Sequence, residues 1–176
     1  KVRNFTKRAG LHYPEADVRS FDFDEDRNLG RLPITELTTC RFAERPQNKV
    51  LQGPTGTGKA YLACAIPKTA CQQRMRLLLT LPRSWRTLER GRECPNGERK
   101  LVRKYAAFQV LVLDEWLLDR PDDLFHGFLL GFMETRYGCR STVFCTQFRQ
   151  HARHGGGVHA DAIMDRIAHS VLRGLI

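Results

Sequence analysis

The fold of this chain is decided by the stretch Gly53-Pro54-Thr55-Gly56-Thr57-Gly58-Lys59-Ala60. It fits the pattern GxxxxGK, in which a glycine-rich loop between a strand and a helix wraps its backbone N–H groups around phosphates. Glycine reaches the positive φ values that this loop needs, and the helix adds the partial positive charge of its N-terminus. The flanks suit a strand over 48–52 and a helix over 60–66. The stretch therefore predicts a nucleoside triphosphate site whose phosphates are held by the loop and the Lys59 ammonium.

The last position of the motif is occupied by Ala60, where the pattern asks for serine or threonine. In loops of this type the hydroxyl ligates Mg²⁺ directly, which a methyl group cannot do. We therefore expect nucleotide to bind through the loop backbone and Lys59, and metal affinity and hydrolysis to be weakened. Thr57 and Asp114 are the candidates to replace the missing ligand.

A second motif reads Val110-Leu111-Val112-Leu113-Asp114-Glu115, with Asp114 fifty-five positions after Lys59. Four apolar residues in a row suit a strand buried on both faces of a parallel sheet. Two carboxylates stand at its C-terminal end, where ligands bind in open α/β sheets. We predict that Asp114 holds Mg²⁺, through water, and that Glu115 orients and polarises the attacking water.

Strand and helix patterns alternate along the chain, which predicts an α/β fold with a parallel sheet. The expected strands are 49–52, 75–81, 108–114, 141–146 and 170–176. The expected helices are 31–45, the one after the loop, segments within 84–104, 122–137 and 160–168. Because proline lacks the N–H that a helix interior needs, Pro67 predicts that the helix after the loop either ends near Ile66 or bends.

Two further features bear on phosphoryl chemistry. Thr146 and Gln147 end the fourth predicted strand, where a polar side chain can reach the γ-phosphate; the alternative is a polar residue that caps the strand. Arg166 could complete charge neutralisation in a neighbouring subunit, and the alternative is a surface ion pair with Asp165 or Asp161.

Composition restricts the class of protein and of partner. The 176 residues are 41% hydrophobic, no apolar run reaches the length of a membrane span, and no signal peptide is visible. Six cysteines without CxxC spacing predict reduced, mostly buried thiols and a cytoplasmic location. The net charge of +10 favours a polyanion such as DNA, although a solvated basic helix without a partner is the alternative. The positive charge is concentrated in Arg74, Arg76, Arg83, Arg86, Arg90, Arg92, Arg99, Lys100, Arg103 and Lys104.

Four segments together resemble the AAA+ ATPase module of the IstB-like transposition helper proteins, close relatives of the DnaC-type helicase loaders. They are GPTGTGKAYLACA, LVLDEW, STVFCTQ and ADAIMDRIAHS. The resemblance implies a P-loop three-layer sandwich with a five-stranded parallel sheet in the order 5-1-4-3-2, and ATP bound between subunits of an oligomer. It implies that Thr146 and Gln147 form sensor 1, that Arg166 is the arginine finger, and that the protein binds DNA and recruits or regulates a transposase.

From motifs and resemblance together, we predict a linker segment and helix over 1–45 and an AAA+ core over 46–176. The sequence begins at Lys1 without Met, and from the resemblance we expect that it lacks the family's upstream domain and lid. We expect ATP and Mg²⁺ as cofactors, no membrane, and a homo-oligomer. A helicase loader and a nucleotide-binding module that does not hydrolyse are the alternatives to a transposition ATPase. Nucleotide contacts are predicted for Gly53, Pro54, Thr55, Gly56, Thr57, Gly58, Lys59, Ala60 and Tyr61, and catalytic roles for Lys59, Asp114, Glu115, Thr146, Gln147 and Arg166.

Overall fold

The fold is taken from a computed structural model. The structure describes residues 13, 15–20, 31–54, 56–73, 75, 77–80, 96–114, 123–146 and 171–173. Within these ranges the elements are, in chain order, α1 (Arg31–Thr38), β1 (Lys49–Gln52), α2 (Lys59–Gln72), β2 (Leu77–Thr80), α3 (Gly97–Ala106), β3 (Val110–Leu113), α4 (Asp123–Arg136), β4 (Ser141–Thr146) and β5 (Val171–Arg173). Short 3₁₀ turns cover Val18–Ser20 and Arg41–Ala43.

The five strands form one parallel sheet in the order β2-β3-β4-β1-β5. Counted from the other edge this is 5-1-4-3-2, the order that the family resemblance implies. In the register, Leu51 lies beside Cys145, Gln52 beside Thr146, and Leu113 beside Phe144. The C-terminal ends of β1, β3 and β4 therefore lie at one edge of the sheet, which is where α/β proteins bind their ligands.

Successive residues of the central strands alternate between two hydrophobic clusters, one on each face of the sheet. On β3, Val110 and Val112 pack with helix α2, whereas Leu111 and Leu113 pack with α3 and α4. Because neighbouring side chains of a strand point to opposite faces, an unbroken apolar run is buried on both sides. Each fully buried Leu or Val contributes about 1.5–3 kcal/mol. The predicted three-layer α/β sandwich is confirmed.

The chain before β1 packs against α2. Ala16, Val18, Leu37, Cys40 and Phe42 are buried in the same cluster as Leu62 and Ile66. The predicted helix over 31–45 is too long, because α1 ends at Thr38 and Cys40 takes a left-handed φ of 51° before the 3₁₀ turn. The backbone therefore reverses at Cys40 instead of continuing as a helix.

The prediction that α2 could end near Ile66 is wrong, because the helix runs through Pro67 to Gln72. Proline there costs about 3 kcal/mol, since it lacks an N–H and crowds the carbonyl of Ala63. The surrounding turns are buried from Leu62 to Ala70, apart from the half-buried Lys68 and Thr69. Burial of this apolar face offsets the loss.

The other boundaries differ from the predicted ones by a few residues. Strand β2 covers 77–80 and β3 covers 110–113, shorter than predicted, whereas β4 covers 141–146 as predicted. Helix α4 is one residue shorter at each end than predicted. The predicted helix over 160–168 lies outside the described residues. In the ranges that the structure describes, no helix combines the length and the apolar character needed to cross a membrane.

A buried arginine connects the second helix layer to the sheet. Arg136, the last residue of α4, is 1% exposed. Its guanidinium donates to the carbonyl oxygens of Tyr105 and Phe108 at 2.9 Å each, to the carbonyl oxygen of Ser141 at 2.6 Å and to Thr142 Oγ1 at 3.0 Å. One side chain therefore fixes the end of α3, the end of α4 and the start of β4 relative to one another.

Candidate nucleotide-binding site

The glycine-rich loop leaves β1 at the centre of the sheet and enters α2. Gly56 and Gly58 have φ values of +87° and +86°, which side chains with a Cβ rarely adopt. Helix α2 begins at Lys59, and the N–H of Leu62 donates to the Gly58 carbonyl oxygen at 2.9 Å. Because the first N–H groups of an α-helix lack an acceptor four residues earlier in the helix, the start of α2 at Lys59 offers donors to an anion next to the loop.

Lys59 lies inside this loop rather than extending into solvent. It is 8% exposed, and its ammonium donates to the Pro54 carbonyl oxygen and to Thr57 Oγ1, the latter at 3.3 Å. Thr57 Oγ1 itself donates to the Pro54 carbonyl oxygen at 2.9 Å. These contacts hold the ammonium at the mouth of the loop, where incoming phosphate oxygens can replace them as acceptors.

The acidic and polar partners predicted for this site reach the same edge of the sheet. Asp114 directly follows β3, and Thr146 is the last residue of β4. The N–H of Gly53, the first loop residue, donates to the Thr146 carbonyl oxygen at 3.2 Å. The structure therefore brings the loop, Asp114 and Thr146 together, whereas Thr55, Glu115, Gln147 and Arg166 lie outside the described residues.

The pKa of Lys59 reflects both its burial and the charges near it. Burial lowers the pKa of Lys59 below its usual value of 10.5, and the charges of Cys145 and Asp114 act in the opposite direction. Burial, together with the charge of Asp114, raises the pKa of the Cys145 thiol well above its usual value of 9.0. Cys145 is therefore a neutral thiol at pH 7, and the nearby Asp114 carboxylate is the group that favours the Lys59 ammonium.

Cys145 is a residue of this region that the sequence motifs do not identify. It precedes Thr146 on β4, lies beside Leu51 in the register and is completely buried. Strand alternation predicts a buried side chain, but nothing in the spacing of the motifs places a thiol near Lys59 and Asp114.

Tyr61 follows the loop on α2, and its hydroxyl faces the N-terminal segment. It accepts from the N–H of Asp17 at 3.1 Å and is 3.2 Å from the Asp17 carbonyl oxygen, to which it donates. The Tyr13 ring lies 6.3 Å from the Tyr61 ring, centroid to centroid. The segment around Asp17 therefore lies against the first turn of the loop helix, a contact across 44 residues that no local pattern could indicate.

The residues present suit a triphosphate better than they suit a metal on its own. Two positive-φ glycines, a helix N-terminus and a buried lysine are the elements that bind phosphate oxygens. The described residues contain no group of three or more His, Cys, Asp or Glu side chains that could hold a metal ion. Mg²⁺ usually keeps several waters and binds one or two carboxylates plus substrate phosphates, and Asp114 can supply one such carboxylate.

Comparison with protein families supports this assignment of the loop. The family model for the IstB-like ATP binding protein matches residues 1–172. A putative insertion sequence ATP-binding protein of Sinorhizobium fredii is 34% identical over 163 residues, covering 90% of this chain and 66% of that protein. A second such protein of the same organism is 32% identical over 174 residues, covering 95% of this chain and 68% of that protein. The chain thus spans about two thirds of the length of these relatives.

Comparison with solved structures concerns the fold alone. The crystal structure of DnaI is similar with a TM-score of 0.65 at 20% identity, covering 90% of this chain and 88% of that chain. The match extends over nearly all of both chains. The likeness shows that this chain shares the fold of that protein.

Proposed function

Because this chain belongs to the IstB-like ATP-binding protein family, we propose that it is an ATP-binding, DNA-associated AAA+ ATPase that helps or regulates transposition. The observation that carries the proposal is the position of Lys59, buried in a loop with two positive-φ glycines at the edge of the sheet where Asp114 follows β3. This arrangement combines the positive charge that binds phosphates with the carboxylate that phosphoryl transfer requires.

Binding begins with the exchange of the internal acceptors of Lys59 for phosphate oxygens. The ammonium leaves the Pro54 carbonyl oxygen and Thr57 Oγ1 and pairs with the β- and γ-phosphates of ATP. The backbone N–H groups of the loop and the N-terminus of α2 take the remaining oxygens. Because Lys59 is already desolvated, its charge interacts more strongly with the phosphates than an exposed lysine would.

Hydrolysis requires a carboxylate for the metal and groups that position water. We assign Asp114 to the metal, through water, and Glu115 to the attacking water. Mg²⁺, when bound, neutralises charge on the β- and γ-phosphates. Thr146, fixed beside Gly53, and the following Gln147 are assigned to the γ-phosphate. Arg166 is assigned as the arginine that a neighbouring subunit supplies.

Helix α3 supplies the DNA-binding surface in this proposal. Its inner face packs Leu101, Val102 and Tyr105 against the core. Its outer face carries four exposed cations, Arg99, Lys100, Arg103 and Lys104. At 100° per residue these four occupy an arc of about 140°. A continuous basic face on a fixed helix fits the phosphate backbone of duplex DNA, largely without sequence preference.

We further propose residues 1–45 as an N-terminal linker segment and helix, and 46–176 as the AAA+ core of a homo-oligomer. The protein partner in this proposal is a transposase, which the ATP-bound, DNA-bound protein recruits or regulates. A replicative helicase is the other partner that the helper role would fit. Since the relatives are longer than this chain, the partner-binding segment need not lie within it.

A second candidate function is a nucleotide-binding module that does not hydrolyse ATP. Two observations favour it. The side chain of Ala60 has no oxygen with which to bind a metal. The Thr57 hydroxyl already donates to the Pro54 carbonyl oxygen and accepts from the Lys59 ammonium. Such a module would use ATP to set its oligomeric state, and DNA release would follow nucleotide dissociation instead of hydrolysis.

Steady-state ATP turnover with Mg²⁺, with and without duplex DNA, tests the proposal. The native chain is compared with Ala60→Thr, which restores the hydroxyl, and with Lys59→Ala, which should be inactive. Native turnover that rises with DNA supports the ATPase. Turnover only in Ala60→Thr supports the non-hydrolysing module. Absence of turnover in both, with ATP unbound, would contradict both candidates.

A further inference from the structure

A second group of exposed cations lies at the opposite edge of the sheet from the nucleotide site. Arg41 and Arg45 are exposed in the segment before β1, and Arg140 is exposed immediately before β4. Strand β4 has six residues, which at about 3.3 Å per residue separates the two edges by roughly 20 Å. These arginines are therefore too far from the loop to serve the same triphosphate.

Hydrogen bonds fix the two segments that carry these arginines against each other. Ser141 Oγ donates to the carbonyl oxygen of Phe42 at 3.2 Å, and these residues directly follow Arg140 and Arg41. The N–H of Thr142 donates to Asn48 Oδ1 at 3.0 Å. Both bonds are buried, so the positions of the arginine-bearing backbones are set by the core and not by surface loops.

The same edge continues into the basic face of α3. Arg136 donates to the carbonyl oxygens of Tyr105 and Phe108, and its own carbonyl oxygen accepts from the N–H of Arg140 at 2.9 Å. The N–H of Ser141 donates to the Gln109 carbonyl oxygen at 3.0 Å. The last turn of α3 and the Arg140 turn therefore meet at this edge.

The arginines at this edge form no ion pair with the described residues. None of Arg41, Arg45 and Arg140 lies within 4.0 Å of a described carboxylate, unlike Lys49, which pairs with Glu36, and Lys68, which pairs with Asp17. Arg140 also repels the buried guanidinium of Arg136, which adds to the effect of burial in lowering the pKa of Arg136 to about 10. An anion bound over Arg140 would relieve this repulsion.

We propose that this edge surface, defined as Arg41, Arg45, Tyr137 and Arg140, is a second contact with the phosphate backbone of duplex DNA. The proposal rests on the proposed DNA association of the chain and extends it from one helix to a path that runs around the edge of the sheet. Neighbouring strands are about 4.8 Å apart, and duplex DNA carries one charge per 1.7 Å of its axis. Three arginines spread over the starts of β4 and β1 therefore meet several phosphates at once.

The composition of the surface favours DNA over an acidic protein. Protein interfaces are built around a fully buried, largely apolar centre with a polar rim. Here Tyr137, 51% exposed, is the one large apolar side chain that the described residues expose at this edge. Its ring can pack against a sugar, whereas the guanidinium groups bind phosphate oxygens in pairs.

The test measures binding of a fluorescent 30-base-pair duplex by the full chain at several salt concentrations. The variant R41Q/R45Q/R140Q is compared with R41K/R45K/R140K, which keeps the charge, and with R99Q/K100Q/R103Q/K104Q on α3. ATP binding and the urea midpoint of each variant confirm that it is folded. The glutamine variant at the edge should bind at least tenfold more weakly. Its plot of log K against log salt concentration should have a slope that is shallower by about 2–3, since each phosphate contact contributes about 0.9 to the magnitude of the slope. The lysine variant should keep the native slope.

The outcomes separate this inference from the proposed function. If the α3 variant weakens binding and the glutamine variant at the edge does not, the inference is overturned and DNA association by α3 stands. If the native chain binds no duplex, the proposed DNA association fails, and the inference fails with it. If the edge variant loses affinity for poly-glutamate but not for DNA, the surface belongs to an acidic protein partner, which also overturns the inference.

Discussion

The N–H of Gly53 donates to the carbonyl oxygen of Thr146 at 3.2 Å. This bond ties the first residue of the phosphate-binding loop to the last residue of the neighbouring strand. Thr146, which is 7% exposed, is consequently held at the same edge as the loop. In the proposed function this residue acts on the γ-phosphate and does not hold the rest of the nucleotide.

Thr146→Val should therefore affect hydrolysis more than binding. Valine keeps the shape of the side chain and the backbone bond to Gly53 but removes the hydroxyl. We expect kcat for ATP hydrolysis to fall at least tenfold, about 1.4 kcal/mol in the barrier, with KM changed less than threefold. Equal kcat in the native chain and the variant would show that the hydroxyl does not act on the γ-phosphate.

Arg136→Met should destabilise the fold strongly. The variant removes the guanidinium donor from the carbonyl oxygens of Tyr105, Phe108 and Ser141 and from Thr142 Oγ1, and a buried acceptor left without a donor costs about 1–3 kcal/mol. We expect a loss of roughly 3 kcal/mol in the free energy of unfolding, measured with urea. Arg140→Met is the matched control, since the exposed Arg140 should change stability by about 0.5 kcal/mol or less. Similar losses in both variants would contradict the anchoring role of Arg136.

The lowered pKa of Arg136 makes the stability of the fold depend on pH above about 10. Burial, with repulsion from Arg140, lowers its pKa to about 10, below its usual value. Above about pH 10, and up to the usual pKa of an arginine side chain, the unfolded chain therefore holds a proton that the folded chain has lost, so this group makes the free energy of unfolding rise with pH in that window. Near pH 7 the group is protonated in both states and contributes no slope.

Two glycine-to-alanine substitutions near the end of α4 should change the free energy of unfolding in opposite directions. Gly138 ends α4 with a φ of +66°, so Gly138→Ala should lower the free energy of unfolding by about 1 kcal/mol. Gly131 lies within α4, and an added Cβ would meet no atom within 4 Å. Gly131→Ala should therefore stabilise the fold by up to about 1 kcal/mol. Urea unfolding of both variants checks the prediction, and the same sign in both would contradict the assigned backbone conformations.

Thiol labelling should distinguish the cysteines by burial. Cys139 is exposed, whereas Cys40, Cys64 and Cys145 are buried. At pH 8 a maleimide should modify Cys139 in the native state and reach the other three only on unfolding, as read by peptide mass spectrometry. Burial raises the pKa of Cys145 above 9.0, so the folded chain keeps a proton that the unfolded chain loses, and this thiol lowers stability as the pH rises above 9. Native-state labelling of Cys145 at pH 8 would contradict its placement under the loop.

The sheet and the phosphate loop were predictable because their patterns are local. The apolar run before Asp114 is bounded and buried on both faces, and the glycines of the loop occupy the positions that need positive φ. Because a strand that is buried on both faces needs an unbroken apolar run, the sequence locates such a strand to within a few residues.

The remaining features depend on contacts between residues far apart in the chain. Helix α2 continues through Pro67 because its neighbours are buried, which its own sequence does not reveal. The sequence shows Arg136 only as a basic residue at the end of a helix. In the structure it is buried, and it donates to the carbonyl oxygens of Tyr105 and Phe108, which lie far away in the chain. The bond between Tyr61 and Asp17 likewise joins segments whose proximity only the tertiary structure sets.

Direct measurement of ATP binding tests the central claim most closely. We would measure the affinity for ATP by isothermal titration calorimetry for the native chain, for Lys59→Ala and for Lys68→Ala. Because Lys68 lies on the same helix, Lys68→Ala controls for the general effect of losing one positive charge. The account predicts that the native chain and the control bind ATP. It also predicts that Lys59→Ala binds roughly 30- to 150-fold more weakly, about 2–3 kcal/mol for a lost charged contact. Equal affinity in the native chain and Lys59→Ala would contradict the assignment of this loop as the triphosphate site.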